Sequence, residues 1–125
     1  MTNKVILPPY APVPGGPDAQ AISNGKLLAL SGQVGIDPAT GEALPGVVAQ
    51  TRQALANLKA VLVAAGAGPE NVIKTTCFLT DIGSFAAFND EYSLFFGDHR
   101  PARSTVGVAL AGGFLVEVEA LAVLP

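Results

Sequence analysis

Apolar positions recur along this chain in two rhythms, one near every third or fourth residue and one at every second. The first runs from Val47 to Ala65, where Val48, Thr51, Leu55, Leu58 and Leu62 trace one stripe. That spacing predicts a helix buried on one side, with Gln50, Arg52, Gln53 and Lys59 at polar positions and Gly66 as its stop. A second stripe, Phe85, Phe88, Tyr92 and Phe95, predicts a helix over 81–96 that ends at Gly97. The two-residue rhythm and β-branched content predict strands at 19–23, 26–34, 71–80, 103–108 and 114–123. Asn24-Gly25 reads as a hairpin turn between the first two. Asp37 to Gly41 and Ala111-Gly112-Gly113 read as further turns. Residues 1–17 carry Pro8, Pro9, Pro12, Pro14 and Pro17, so they read as an extended, proline-rich arm.

The predicted order is β-β-α-β-α-β-β, an α+β fold with one sheet and both helices on one face. No segment remains to cover the other face, which points to self-association through it. A chain of 125 residues fits one domain, 1–125. Charge is sparse, with seven Lys plus Arg against ten Asp plus Glu and a net charge of −3. No basic cluster follows a phosphate backbone, so nucleic acid is not an expected partner. Cys77 is the single cysteine and His99 the single histidine. Disulfide and metal frameworks are therefore not expected. Cys77 reads as a small buried residue and His99 as an exposed loop residue. No apolar run approaches a membrane span and no leader-like segment opens the chain, so a soluble cytoplasmic protein is expected.

The charges inside the strands carry candidate chemistry. Alternation puts Phe114, Val116, Val118 and Ala120 on one face of the last strand, and Leu115, Glu117, Glu119 and Leu121 on the other. A carboxylate there is either solvated or partnered. Arg103 opens the preceding strand. If those two strands are neighbours, Arg103 meets the Glu117/Glu119 face. Two readings stay open: a structural ion pair, or a site in which the guanidinium grips a substrate carboxylate and a glutamate holds a water.

Several segments fall in a familiar order: Gly16-Pro17, Ser31-Gly32-Gln33, Asp37-Pro38-Ala39-Thr40-Gly41, Val72-Ile73-Lys74-Thr75-Thr76, Phe88-Asn89, Tyr92 with Phe95-Phe96, Pro101-Ala102-Arg103-Ser104 and Val116-Glu117-Val118-Glu119-Ala120. Together they resemble the YjgF/RidA family of reactive-intermediate deaminases, from about Gly16 to the C-terminus. The resemblance implies a chorismate-mutase-like fold and a homotrimer whose sheets form a central barrel, with sites between subunits. It implies hydrolysis of 2-enamine and 2-imine acids, such as 2-iminobutyrate and 2-iminopropanoate, to 2-oxo acids and ammonia, without a cofactor.

Carried over by position, Arg103 resembles the substrate-carboxylate arginine and Glu117 the glutamate that positions the water. Ser31 and Asn89 resemble pocket residues, with Phe88 at the pocket edge. Thr105 stands where many members have cysteine, at a position that acts through its backbone carbonyl. Asp18 departs from the pattern, since many members have tyrosine after the Gly-Pro pair. A carboxylate there can pair with Arg103, repel an anion or accept a hydrogen bond from nitrogen. Two alternatives follow: a deaminase or hydrolase for another pathway-specific substrate, and a non-catalytic trimeric small-molecule-binding module.

Overall fold

A computed structural model describes residues 2–125. The chain forms β1 (Asn3–Ile6), β2 (Ala21–Asn24), β3 (Leu27–Val34), α1 (Val47–Ala64), β4 (Val72–Leu79), α2 (Phe85–Phe96), β5 (Ala102–Gly107) and β6 (Val116–Val123). One sheet has the order β1-β2-β3-β6-β4-β5. The α+β expectation holds, with one strand more than expected: residues 3–6 of the proline-rich arm pair antiparallel with β2.

The topology explains why both helices share a face. β3 and β4 each pair antiparallel with β6, so they run parallel to each other. β4 and β5 pair in parallel. The chain thus steps from β3 to β4 to β5 in one direction across the sheet, through α1 and then α2. Crossovers of one hand in one direction place both helices on the same side. The β2–β3 hairpin closes through Gly25-Lys26, with Asn24 paired to Leu27, and Gly25 adopts φ 59°. Glycine at the first turn position is what such a tight hairpin favours.

The core lies between the sheet and the helices. Leu28, Leu30, Val72, Cys77, Leu79, Val116, Val118 and Ala122 face Leu55, Leu58, Val61, Leu62, Phe88, Tyr92 and Phe96. Stripe assignments shift in both helices. Val48 is exposed, while Gln50 is buried. Gln50 satisfies both ends of its amide, donating to Leu44 O at 3.0 Å and accepting from Leu115 N at 2.8 Å. In α2 the buried face is Phe88, Tyr92 and Phe96, with Phe95 only partly buried and Phe85 exposed. Gly66 ends the first helical run at φ 81°. Asn57 is buried and donates to Val34 O and Ile36 O at 3.0 and 2.9 Å, tying the loop after β3 to α1.

The opposite sheet face has no cover from the described residues. Leu27, Val106, Leu121 and Val123 are exposed there beside Glu119. A run of exposed apolar side chains on one sheet face is the kind of surface that proteins use for association. Among the described residues, no helix is long and apolar enough to cross a membrane.

Candidate active site

β5 positions Arg103. Its register partner on β4 is Thr75, and neighbours in register point to the same face. Thr75 is buried under the helices. Arg103 therefore projects toward α2. Its Nη1 donates to Asn89 Oδ1 at 2.8 Å. Its guanidinium carbon lies 4.8 Å from the Tyr92 ring centroid and 5.6 Å from that of Phe85. These three side chains occupy one face of α2 at helical spacing. No carboxylate pairs with Arg103: among the described residues the ion pair is Arg52 with Glu91, at 2.7 Å.

β6 positions Glu117 on the other face. Val116 and Val118 on either side of it are buried in the core, so alternation turns Glu117 and Glu119 to the open face. The expected meeting of Arg103 with these glutamates within one chain does not occur. β4 lies between β5 and β6, and the parallel pairing of β4 with β5 sets Arg103 level with Ala120 rather than Glu117. Glu117 instead lies over Gly32: a Cβ added to Gly32 would come 2.5 Å from Glu117 Oε2. Burial, reinforced by the charge of Glu119, raises the Glu117 carboxyl above the ordinary glutamate range.

Ser31, next to Gly32, belongs to the Glu117 side. A register shift in β3 between Leu30 and Gln33 interrupts the ladder there. Ser31 Oγ donates to Ala19 O at 2.6 Å, and Ser31 N to Gln20 O at 2.9 Å. Gln33 donates to Gln20 Oε1 at 2.6 Å, and Gln20 in turn bonds Pro12 O. The arm is thus tied to the strand that carries Ser31. Asp18, one residue before Ala19, is exposed, and its backbone N donates to Gly16 O at 2.9 Å.

One chain therefore carries two separate groups of candidate site residues. Arg103 and Asn89 form one, while Glu117, Gly32 and Ser31 form the other. Thr105 lies on the same strand face as Arg103, two residues on. Its Oγ1 is a buried side-chain oxygen with no partner among the described residues stronger than the weakly donating thiol of Cys77, its register partner. Phe88 is fully buried in the core, and the aromatic residues at Arg103 are Phe85 and Tyr92. The helical stripe contained both, but periodicity tells which face a residue takes and not what crosses it. Cys77 is buried, and burial pushes its thiol up to about 11, as suits an inert core residue. His99 is not a free loop residue: its Nε2 lies 2.6 Å from Val72 O. Among the described residues no group of His, Cys, Asp and Glu is arranged to hold a metal ion.

Comparison with known proteins agrees with this architecture. A mouse (Mus musculus) 2-iminobutanoate/2-iminopropanoate deaminase is 44% identical, over 97% of this chain and 91% of its own. Protein DfrA of Myxococcus xanthus is 46% identical, over 98% of this chain and 97% of its own. Among solved structures, the Rid-family protein YyfA of Yersinia pestis superposes with a TM-score of 0.95 at 43% identity, covering 98% of this chain and 100% of that one. E. coli TdcF with bound serine gives a TM-score of 0.93 at 40% identity, covering 98% and 99%. The family model described as Endoribonuclease L-PSP matches residues 9–124, and the chain belongs to that family, the YjgF/RidA proteins.

Proposed function

We propose that this member of the YjgF/RidA family hydrolyses short-lived 2-imino and 2-enamino acids to 2-oxo acids and ammonia, at sites assembled between the subunits of a homotrimer. The observation that carries the reading is Arg103: a guanidinium held by a neutral amide and two aromatic rings, with no carboxylate partner among the described residues. Such a cation has donors to spare for a bidentate bond to a substrate carboxylate. The similarity to deaminases at 44% identity supports the reaction class. TdcF carries serine, itself a carboxylate-bearing amino acid.

The reaction needs a fixed carbon, a directed water and a proton for the leaving nitrogen. Arg103 grips the carboxylate beside the C=N carbon, which fixes that carbon. Glu117 of a neighbouring subunit accepts a proton from water as its oxygen adds to the carbon. The adduct then loses ammonia as the C–N bond breaks and the C=O bond forms; nitrogen takes both protons of the water, one returned by Glu117 and one released by the adduct's hydroxyl. Ser31 and Asn89 line the cleft, and the backbone carbonyl of Thr105 accepts a hydrogen bond from the imine N–H. The two faces of the sheet explain why two copies are required. The uncovered apolar face and the free edge of β5 offer the surfaces through which the copies join.

Asp18 favours a second reading of the substrate. Its carboxylate sits on the arm tied to Ser31, so an imine with a second amine or ammonium group would find a partner there. A ribonuclease role, which the description of the family model names, gains nothing from a net charge of −3 without a basic cluster.

The test couples the protein to a threonine dehydratase that releases 2-iminobutyrate in the presence of semicarbazide, which traps the imine. Wild type should suppress trapping, and Arg103→Ala should not while remaining assembled. If wild type fails but Asp18→Tyr succeeds, the pocket serves another substrate. If all are inert, the protein binds without turnover.

A further inference from the structure

We propose that Tyr92, with Phe85 beside it, is the positioning residue for Arg103: the rings hold the guanidinium as an un-neutralised cation, open to a substrate carboxylate. This rests on the carboxylate-clamp reading above. An arginine has five N–H donors in a rigid fork. In many proteins a carboxylate orders that fork, and Arg52 shows the arrangement here, with two bonds to Glu91 at 2.7 and 3.0 Å. A guanidinium so paired has little left for an anionic ligand. Arg103 is ordered differently. One bond goes to Asn89, and the faces of the Tyr92 and Phe85 rings supply the rest. The negative face of a ring attracts a cation without cancelling its charge or occupying its N–H groups.

The ring itself is fixed. Tyr92 is 5% exposed, and its hydroxyl lies 2.7 Å from Thr75 Oγ1. Phe96 and Phe88 pack on it with centroids at 4.7 and 5.7 Å. Thr75 is also the register partner of Arg103. The rung of sheet that places the arginine therefore places the anchor of its ring, and β4, α2 and β5 act together at this point. Tyr92 is buried with its hydroxyl turned to Thr75, and it meets Arg103 with its ring.

The experiment measures imine hydrolysis, and separately the binding of 2-oxobutanoate by calorimetry, for wild type, Tyr92→Phe, Tyr92→Leu and Phe85→Leu. Tyr92→Phe keeps the ring and loses the Thr75 bond. It should lower the Tm and leave KM within about two-fold. Tyr92→Leu loses the ring, and should raise KM and weaken 2-oxobutanoate binding about ten-fold with kcat nearly kept. Phe85→Leu, at a half-exposed position, should show the same split at about three-fold and stays informative if Tyr92→Leu does not fold. Unchanged KM and binding in Phe85→Leu and in any folded Tyr92→Leu would overturn the inference. So would an equal loss in Tyr92→Phe, which would assign the role to the hydroxyl. A wild type that binds 2-oxobutanoate without hydrolysing imine ends the deaminase reading alone, and the binding series then decides for Tyr92. A wild type that does neither removes both.

Discussion

Arg103 and Glu117 lie on opposite faces of one sheet. Two strand spacings and three residues of offset separate their backbones, roughly 14 Å from standard strand geometry. A guanidinium aimed at the helices and a carboxylate aimed away from them do not share a small substrate within one chain.

Subunit mixing tests this directly. Arg103→Ala and Glu117→Gln should each be inactive alone. Co-assembled in equal amounts, they should recover roughly a quarter of wild-type activity, because random assortment in a cyclic trimer sets an intact Arg103 beside an intact Glu117 at that frequency. Sites built within single chains would recover none. Native mass spectrometry of the mixed assemblies, read alongside activity, separates failed exchange from failed complementation.

The Glu117 carboxyl gives a pH prediction. Burial and then Glu119 raise it, so the folded protein holds the proton more tightly than the unfolded chain. A raised carboxyl contributes stability below its unfolded value and loses that contribution as pH rises through the folded one. At neutral pH Glu117→Gln should therefore raise the Tm relative to wild type, with the difference closing in acid. As a base Glu117 must be ionised, so kcat/KM should fall on the acid side at a pH above the ordinary glutamate range. Glu119→Gln should shift that limb downward. Comparing it with wild type on one substrate cancels the titration of the substrate.

Much of this arrangement is legible in the chain. Both helices and the five strands from β2 onward follow from burial periods, because one buried face dictates the spacing. Residues 3–6 are not legible as a strand: Asn3, Lys4 and Val5 are exposed, prolines follow soon after, and pairing with β2 alone defines them. The neighbours of β5 are not legible either. Closeness in sequence favours pairing β5 with β6, whereas the crossover through α2 docks it on β4. Gln50 reads as surface because the backbone groups that satisfy its amide, Leu44 O and Leu115 N, lie in an irregular loop and far along the chain. The aromatic bed of Arg103 lies within the stripe of α2, but only the β4–β5 register brings the arginine over it.

Two glycines should part stability from activity. A Cβ on Gly32 would meet the far end of the Glu117 side chain, 2.5 Å from Oε2. That end can swing aside, so Gly32→Ala should fold with a near-normal Tm and lose ten-fold or more in kcat, an order-of-magnitude expectation for a displaced base. A Cβ on Gly35 would meet Gln50 Cβ at 2.4 Å and its Cα at 2.5 Å. Neither can move without α1. Gly35→Ala should lose about 1–3 kcal/mol of stability through overpacking. Urea unfolding of both, with kinetics on the folded fraction, checks the contrast. A strongly unstable Gly32→Ala would show that Glu117 is fixed by more than its reach over Gly32.

Thr105 supplies the opposite case, a substitution expected to stabilise. Its Oγ1 is buried, with no partner among the described residues stronger than the weakly donating Cys77 thiol. Leaving a hydroxyl in that state costs about 1–3 kcal/mol, whereas an apolar group of the same shape carries no such penalty. Valine has that shape, and its branched Cβ suits β5. Thr105→Val should raise the Tm by a few degrees. If only the backbone carbonyl of residue 105 serves the substrate, KM and kcat should stay as in wild type. A higher Tm joined to a raised KM would mean that the hydroxyl turns to the substrate when one is bound. A lower Tm would mean that it finds its partner across the interface, where β5 presents the free edge of the sheet.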